Sequence, residues 1–327
     1  MGSMEHLYRI ACVFSLVLAT TIAPVPAVQA QGYPNRPVRL VVPFPPGGTS
    51  DVLARMLQPK LSEFLGQSVI VDNKGGAAGA IGTAEVARAA ADGYTLLIVA
   101  DPYAVMNHLY RQTPDIFASF EHIVMTTTSP SLLVASPGFA PASVKELVAA
   151  AKAGAGVVTH ATPGAGTFNH LSGLLLEQAA GIQLTHVPYK GGGPMVQALL
   201  GSQVNIMFIS APLVMQHVKA GKLKPLAVGS RQRIAQLPDV PSISETYPGI
   251  QLLAWSGIVA PTGLPRDVAG RINRDMLRTL ADPETRKKLT DAGFDVVGST
   301  PEEFLGFVRA EYDKLGRVIR DYAIKVD

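Results

Sequence analysis

The stretch Val38-Arg39-Leu40-Val41-Val42-Pro43-Phe44-Pro45-Pro46-Gly47-Gly48-Thr49-Ser50-Asp51 combines an apolar run, a turn rich in glycine and proline, and the start of an amphipathic segment. The apolar run predicts a buried strand, and residues 51–64, followed by Gly66, predict a helix. The unit continues with a strand at 68–72, a turn at 74–79, a small-residue helix to 91 and a strand at 94–100. This order is βαβαβ.

A second unit repeats the same order of elements. Two βαβαβ units in one chain predict two similar α/β lobes with parallel sheets. The second unit has a strand at 156–161, a turn at 162–167, a helix at 169–180 ended by Gly181, a strand at 183–188, a turn at 190–193, a helix through 200 and a strand at 204–209.

The composition excludes several classes of protein. Of 327 residues only 16% are charged and the net charge is +3, which argues against nucleic-acid binding through a basic surface and against a disordered acidic tail. The single cysteine, Cys12, lies near the N-terminus, so residues 31–327 offer no disulfide, thiolate metal site or cysteine nucleophile. Stability is therefore expected to come from an apolar core.

Residues 1–30 are typical of a secretory signal peptide. Arg9 precedes an apolar run at 10–23, and Val28-Gln29-Ala30 gives a small-residue end with predicted cleavage after Ala30. The apolar run of about fourteen residues is shorter than the roughly 20 that a membrane-spanning helix needs. The chain is thus predicted to be exported to the periplasm, with an uncleaved N-terminal anchor as the alternative.

The glycine-rich turns predict an anion site. Each unit has two turns that lead from a strand into a helix, and helix N-termini expose unpaired N–H groups that bind anions. Such turns also occur only to reverse the chain direction. Phosphate is a competing ligand, but neither G-x-x-x-x-G-K-[ST] nor G-x-G-x-x-G with its distant acidic residue is present. Two facing turns from two lobes favour a ligand with one or two carboxylates.

Catalytic signals are weak. The seven histidines include no i, i+4 pair, and the motifs of zinc proteases and serine hydrolases are absent. Asp51 and Asp101 follow strands and are candidate paired carboxylates, although Asp51 also suits the first turn of a helix. His170 either donates to a carboxylate or braces its loop, and Lys190 either pairs with an anion or is solvated. Trp255 fits a packed hinge or a ligand contact.

Several motifs in order resemble the Bug (Bordetella uptake gene) family, the extracytoplasmic receptors of tripartite tricarboxylate transporters. They are residues 43–51, 162–171, 186–191, 221–228, 237–242 and 255–257. The resemblance implies a type II periplasmic binding protein of the α/β class, with two doubly wound lobes joined by crossing strands near 132–136 and 252–258. Residues 31–131 and 255–327 are then lobe 1, and residues 132–254 are lobe 2.

The resemblance also implies a function. A monomer with no cofactor would close around a carboxylate and deliver it to the membrane components of a transporter, without nucleic acid as a partner. A receptor that signals to a membrane sensor kinase is one alternative, and an exported enzyme that uses Asp51 or His170 is another.

The implied ligand contacts come from both lobes. Thr49, Thr162 and Thr167 would donate hydroxyl groups, and Gly47, Gly48, Gly164 and Gly166 would present backbone N–H groups. The other candidate ligand-binding residues are Phe44, Asp51, Ala78, Asp101, Tyr103, Phe168, His170, Lys190 and Ser210.

Departures from the family pattern bear on the ligand. Residues 74–79 and 162–168 differ from the usual turns, and 101–103 replaces a small or hydroxyl-bearing turn. Asp101 would repel a tricarboxylate and pair with an amine, while Phe44, Tyr103 and Phe168 would stack on an aromatic ring. An aromatic or amino-bearing carboxylate is therefore favoured over citrate.

Overall fold

The computed structural model describes residues 32–110, 112–154, 157–164, 167–250, 252–321 and 324. The predicted signal peptide lies outside the described residues. Every element named below lies in the compact unit Arg36–Asp327. The strands are β1 (Val38–Val42), β2 (Val69–Asn73), β3 (Thr95–Ala100), β4 (Phe120–Ala135), β5 (Thr159–Thr162), β6 (Thr185–Pro188), β7 (Ile206–Ser210), β8 (Lys224–Val228), β9 (Leu253–Pro261) and β10 (Asp295–Val296).

The α-helices alternate with these strands through most of the chain. Short 3₁₀ turns at Ala77–Gly79 and Ile243–Glu245 supplement them. The helices are α1 (Thr49–Leu65), α2 (Ala80–Ala87), α3 (Pro102–Leu109), α4 (Val144–Ala153), α5 (Phe168–Ala180), α6 (Gly192–Leu200), α7 (Ala211–Lys219), α8 (Arg266–Ala281), α9 (Pro283–Ala292) and α10 (Pro301–Asp321).

The sheet confirms the internal duplication. Its strand order is β2-β1-β3-β9-β4-β7-β5-β6, with β8 and β10 paired to β4. Strand β1 is parallel to β2 and β3, and β5 is parallel to β6 and β7. An antiparallel strand then follows in each half, β9 beside β3 and β4 beside β7. The two predicted βαβαβ units thus have the same internal strand order.

Strand β4 connects the two halves by changing partners along its length. Its residues from Phe120 to Pro130 pair with β9, whereas those from Ser131 to Ala135 pair with β7. The change of partner lies next to the predicted crossing at 132–136. The exact lobe boundaries, 31–131 with 255–327 and 132–254, remain a prediction.

Helices cover both faces of the sheet in the second half. Leu132 packs in one apolar cluster with Met215, and its neighbour Leu133 packs in another with Phe208. Adjacent residues of a strand point to opposite faces, so two separate cores flank this part of the sheet. In the first half, α10 contributes Phe304 to the core that also contains Trp255. This is the doubly wound arrangement that the resemblance implied.

The sequence signals for helix ends are largely confirmed. Gly66 and Gly181 end α1 and α5 in the left-handed conformation. Thr300 and Glu303 form a capping box at the start of α10, with both reciprocal hydrogen bonds present. In the described part of the chain, no helix has both the length and the apolar character needed to cross a bilayer.

Element boundaries differ from the prediction by a few residues. Helix α1 begins at Thr49, two residues early, because Gly48 is already its extended N-cap. Helix α2 ends at Ala87 rather than at 91, because the N–H groups of Arg88 and Ala89 bond only three residues back, which closes the helix with a tight turn.

Candidate ligand-binding cleft

A cleft of about 650 Å³ lies where the carboxyl ends of the parallel strands of both halves meet. Phe44 and Asp101 follow β1 and β3 at its wall, and Tyr189 and Ser210 lie at the ends of β6 and β7. In open α/β sheets a ligand binds outside the carboxyl ends of the strands. The fold therefore places two equivalent binding edges around one cavity.

Helix N-termini surround this cleft. Five of the six N-cap residues at its wall make no side-chain hydrogen bond to their own helix; Thr167, which accepts the N–H of His170, is the exception. The first N–H groups of a helix have no intrahelical partner, and each N-terminus carries about half a positive charge. The described wall is thus suited to an anion. The six N-cap residues, of α1, α2, α3, α5, α6 and α7, are Gly48, Gly79, Asp101, Thr167, Gly191 and Ser210.

Glycine lets the loops of the two halves approach each other closely. A Cβ added at Gly192 would lie 3.9 Å from the Cα of Gly48, and one added at Gly191 would lie 3.6 Å from Cγ of Pro45. Gly191 also has a φ of +103°, a conformation that strains other residues. Backbone N–H groups from the two halves are therefore within reach of one small ligand.

The wall has an apolar part and a hydroxyl-rich part. Apolar side chains come from both halves: Phe44, Phe168, Met195, Ile209 and Leu213. The hydroxyl groups belong to strands that cross or end at the cleft: Thr127, Ser129, Ser210 and Ser256. Ser129 and Ser210 are hydrogen-bonded to each other through their Oγ atoms at 2.5 Å. Such a wall suits an organic acid with an apolar body rather than an inorganic anion.

Among the described residues, two charged side chains, Asp101 and Lys190, line the cleft. Burial raises the pKa of Asp101 to about 8, against the opposing effect of the hydrogen bond that its carboxylate accepts from the Trp255 N–H at 2.9 Å. A raised pKa favours the protonated form of Asp101 near neutral pH. The expectation that Asp101 repels a tricarboxylate applies to its ionised form and stays a prediction.

The predicted site residues divide into two groups. Nine of the sixteen line the cleft, and Gly166 lies outside the described residues. Gly47, Asp51, Tyr103, Thr162, Gly164 and His170 are not at the wall. The nine at the wall are Phe44, Gly48, Thr49, Ala78, Asp101, Thr167, Phe168, Lys190 and Ser210.

Tyr103 does not stack on a ligand in the cleft, contrary to the prediction. It is 2% exposed, and its hydroxyl group donates to the Ile116 carbonyl at 2.9 Å. Its ring packs edge-on against Phe120 and His122. The second residue of α3 therefore faces the core rather than the cavity.

Asp51 supports the first loop from behind. Its carboxylate accepts the Gly47 N–H at 2.9 Å and the Asn73 side-chain amide at 3.0 Å, and it pairs with Arg55. Burial favours the protonated form, but the bonds from Arg55, Gly47 and Asn73 outweigh it and hold the pKa of Asp51 below its ordinary value. These contacts fit the alternative in which Asp51 stabilises the first turn of α1. They also explain why the Gly47 N–H points to Asp51.

Two histidines, His170 and His186, lie behind the second loop. The hydroxyl group of Thr162, fully buried, bonds to Nε2 of His186 and accepts the Gly164 N–H. The His170 ring lies 4.5 Å from that of His186, and burial lowers the pKa of His170 to about 4. Thr162 and His170 therefore shape the loop, which fits the bracing alternative for His170.

Sequence reasoning missed the hydroxyl groups of the central strands. Thr127 and Ser129 lie within the run Thr126-Thr127-Thr128-Ser129 of β4, and Ser256 lies opposite Thr127 on β9. A run of hydroxyl residues inside an otherwise apolar buried strand was the available signal. Asn73 and Met195, also at the wall, carried no such signal.

We expect the protein to lose stability in mild acid because of its buried histidines. Burial lowers the pKa of His122 to about 4 and that of His160 to about 3, below the unfolded value near 6.5. The contribution of these two histidines to the free energy of unfolding is fully present above pH 6.5. It is lost as pH falls towards the two lowered pKa values, by about 1.4 kcal/mol per pH unit for each histidine. His122 packs among Tyr103, Phe117 and Phe304, and its Nε2 has no hydrogen-bond partner among the described residues.

The variant His122→Phe tests this expectation, since it keeps an aromatic ring and removes the titrating group. Denaturant unfolding at pH 5 should show it about 2 kcal/mol more stable than the parent protein. The same comparison at pH 8 is the control and should show a smaller difference. An equal gain at both pH values would contradict the role of protonation.

Comparisons with known proteins agree with this geometry. The family model described as "Tripartite tricarboxylate transporter family receptor" matches residues 53–324. Protein BugT of Bordetella pertussis is 34% identical over 325 residues, covering 98% of this chain and 99% of BugT.

Two solved structures are similar over nearly their whole length. Periplasmic binding protein BugD has a TM-score of 0.86 and 35% identity, covering 90% of this chain and 99% of BugD. An R. palustris protein solved with adipate has a TM-score of 0.86 and 31% identity, with 90% and 99% covered. Two matching half-sheets around one cleft and these similarities lead to one conclusion: the chain belongs to the Bug family of tripartite tricarboxylate transporter receptors.

Proposed function

We propose that the protein is a periplasmic receptor that captures one small carboxylate between two lobes and delivers it to the membrane components of a tripartite transporter. The observation that carries the proposal is the set of six helix N-caps at one cleft, five of them without a side-chain bond to their own helix. Unpaired N–H groups and helix dipoles favour an anion without a cluster of arginines. The similar protein solved with adipate, a dicarboxylate, supports a carboxylate as that anion.

The wall favours an aromatic or amino-bearing carboxylate over citrate. Phe44 and Phe168 contribute aromatic rings from opposite halves, and among the described lining residues Lys190 is the one cation. Citrate would bring about three negative charges to a cleft with a single such cation. A ligand with one carboxylate and an apolar or aminated body matches the cleft better.

The proposed lobes, 31–131 with 255–327 and 132–254, close by rotation about the strands that join the halves. Closure brings the loops that contain Gly48 and Gly192 together over the ligand. The membrane components then recognise the closed form. A sensor kinase would use the same closed form, and a pull-down of each partner with and without ligand separates these two roles.

A thermal-shift panel tests the proposed function. The protein without residues 1–30 is heated with mono-, di- and tricarboxylates, amino acids and aromatic acids. A ligand at 100 times its dissociation constant stabilises by about 2.7 kcal/mol, which raises the melting temperature by roughly 5 to 10 °C. Stabilisation by an aromatic or amino-bearing acid, with citrate weaker, is the expected result. Citrate as the tightest ligand would contradict the preference.

A further inference from the structure

Asp101 holds a fixed position in the cleft. It follows β3, whose last residue, Ala100, pairs with Ser256, and its Oδ1 accepts the Trp255 N–H at 2.9 Å. Because Trp255 lies on β9, which is paired with both β3 and β4, the carboxyl group is held at the wall of the cleft by the sheet itself. A carboxyl group held at this wall is available to a ligand bound in the cleft.

The charged neighbours of Asp101 leave it without a counter-ion. No Lys or Arg nitrogen of the described residues forms an ion pair with its carboxylate. On α10, which packs against α3, Glu311 and Lys314 act on Asp101 from a distance and are paired with each other at 2.7 Å. Lys190 lies at the wall but is not bonded to Asp101. A carboxyl group fixed at the cleft without an ion-pair partner among the described residues can pair with a cation supplied by the ligand.

Two serine hydroxyl groups line the same cleft as Asp101. Ser129 lies opposite Ala254 on β9, one residue from the Trp255 that binds Asp101, and Ser210 is hydrogen-bonded to Ser129. An ammonium group has three N–H donors and no acceptor, so it needs several oxygens on one side. Asp101 with the two serines offers oxygens of this kind, while the helix N-termini remain for the ligand's carboxylate.

We propose that Asp101 recognises a protonated amine on the ligand and releases its own proton to solvent when that amine binds. This inference rests on the proposed function, since it assigns the second end of the same ligand. It narrows the ligand to an amino-bearing carboxylate. The proton lost from the Asp101 carboxyl group goes to water, and the carboxylate that remains pairs with the ammonium.

The release of a proton makes the affinity depend on pH. Burial raises the pKa of Asp101 to about 8, so pairing with an ammonium group at lower pH must first remove a proton. The association constant for an amino-bearing acid should therefore rise about tenfold per pH unit between pH 6 and 7.5 and level off above pH 8. An acid without the amine should show no such rise.

Matched pairs of probes test the inference by calorimetry: L-phenylalanine with 3-phenylpropanoate, and L-aspartate with succinate. In each pair that binds, the amino-bearing member should bind at least tenfold tighter at pH 7.5. Titrations in phosphate and in Tris, which differ in ionisation enthalpy, should show about one proton released by that member and none by its partner.

The variant Asp101→Asn is expected to bind the amino-bearing member of a pair less than threefold more tightly than the other member. Its amide oxygen still accepts the Trp255 N–H but carries no charge. Asp239→Asn, an exposed position with the same change of charge, is the control and should keep the advantage. Equal binding of both members of a pair by the parent protein, or an unchanged preference in Asp101→Asn, would overturn the inference. A panel in which no carboxylate binds would instead overturn the proposed function.

Discussion

Replacing Thr49 with aspartate is expected to weaken carboxylate binding about 100-fold while leaving the empty protein as stable as before or slightly more stable. Thr49 is the first residue of α1 and lines the cleft. A negative side chain in the first turn interacts favourably with the helix dipole, by about 0.3–1 kcal/mol. The same charge occupies the position that the ligand carboxylate needs, and like charges a few ångströms apart repel strongly in a partly dry site.

The opposite effects on stability and affinity make this prediction specific. Calorimetry gives the affinity for the best ligand of the panel, and thermal unfolding without ligand gives the stability. Lys145→Asp is the control, because it also places an acid in the first turn of a helix, α4, that does not border the cleft, and its charge change of two units exceeds the one unit of Thr49→Asp. Equal loss of affinity in both variants would point to a general charge effect and contradict a local role for the α1 N-terminus.

Replacing Gly257 with alanine is expected to destabilise the protein by about 3 kcal/mol or more. A Cβ at this position would lie 2.7 Å from Cε1 and 2.8 Å from Cε2 of Phe304, and closer still to Cζ. Phe304 is fully buried and Gly257 lies in the middle of β9, so neither side has space to move. Overpacking of this kind usually costs 1–3 kcal/mol, and an overlap with three ring atoms belongs at the top of that range.

Two further variants show whether the overlap causes the loss. Gly306 lies on α10, the helix that contains Phe304, and a Cβ added there has no atom of the described residues within 4 Å. Gly306→Ala should therefore be neutral or slightly stabilising. Phe304→Leu in the Gly257→Ala background should recover part of the stability, because the shorter side chain vacates the overlapping space. Denaturant unfolding of the four proteins provides the measurement, and a double variant no more stable than Gly257→Ala would contradict the proposed contact.

The glycine-rich turns could be read from the sequence because their chemistry is local. An apolar run, a turn with Gly47 and Gly48 and an amphipathic segment specify a strand, a corner and a helix, and the repeat of that order specifies two similar half-sheets. The βαβαβ order together with the resemblance predicted the doubly wound halves, which the strand order confirms. Local patterns of this kind can be recognised in the sequence because each of them lies within a single element.

The direction of individual side chains could not be read in the same way. Tyr103 and Asp101 are two residues apart at the start of α3, yet Tyr103 faces the core and Asp101 faces the cleft. Which of them reaches the cavity depends on how α3 packs against β4 and α10, which no local pattern encodes. The protonation state of Asp101 could not be predicted from the sequence either, because burial next to Trp255 raises its pKa.

The hydroxyl groups of β4 could not be assigned to the cleft from the sequence because their partners are distant in the chain. Ser129 lies near the point where a sixteen-residue strand changes partners, and it meets Ser210 from the other half only after folding. The two residues are 81 positions apart in the sequence. A contact of that separation becomes visible only when the topology is known.

The affinity of the best carboxylate ligand, compared with that of its carboxamide analogue, tests the central claim most directly. The two molecules have nearly the same shape, and the amide lacks the negative charge that helix N-termini stabilise. We predict that calorimetry will show the carboxamide binding at least 100-fold more weakly at pH 7.5. Equal affinities for the two molecules would show that the cleft does not recognise the anion, and would contradict its assignment as a carboxylate site.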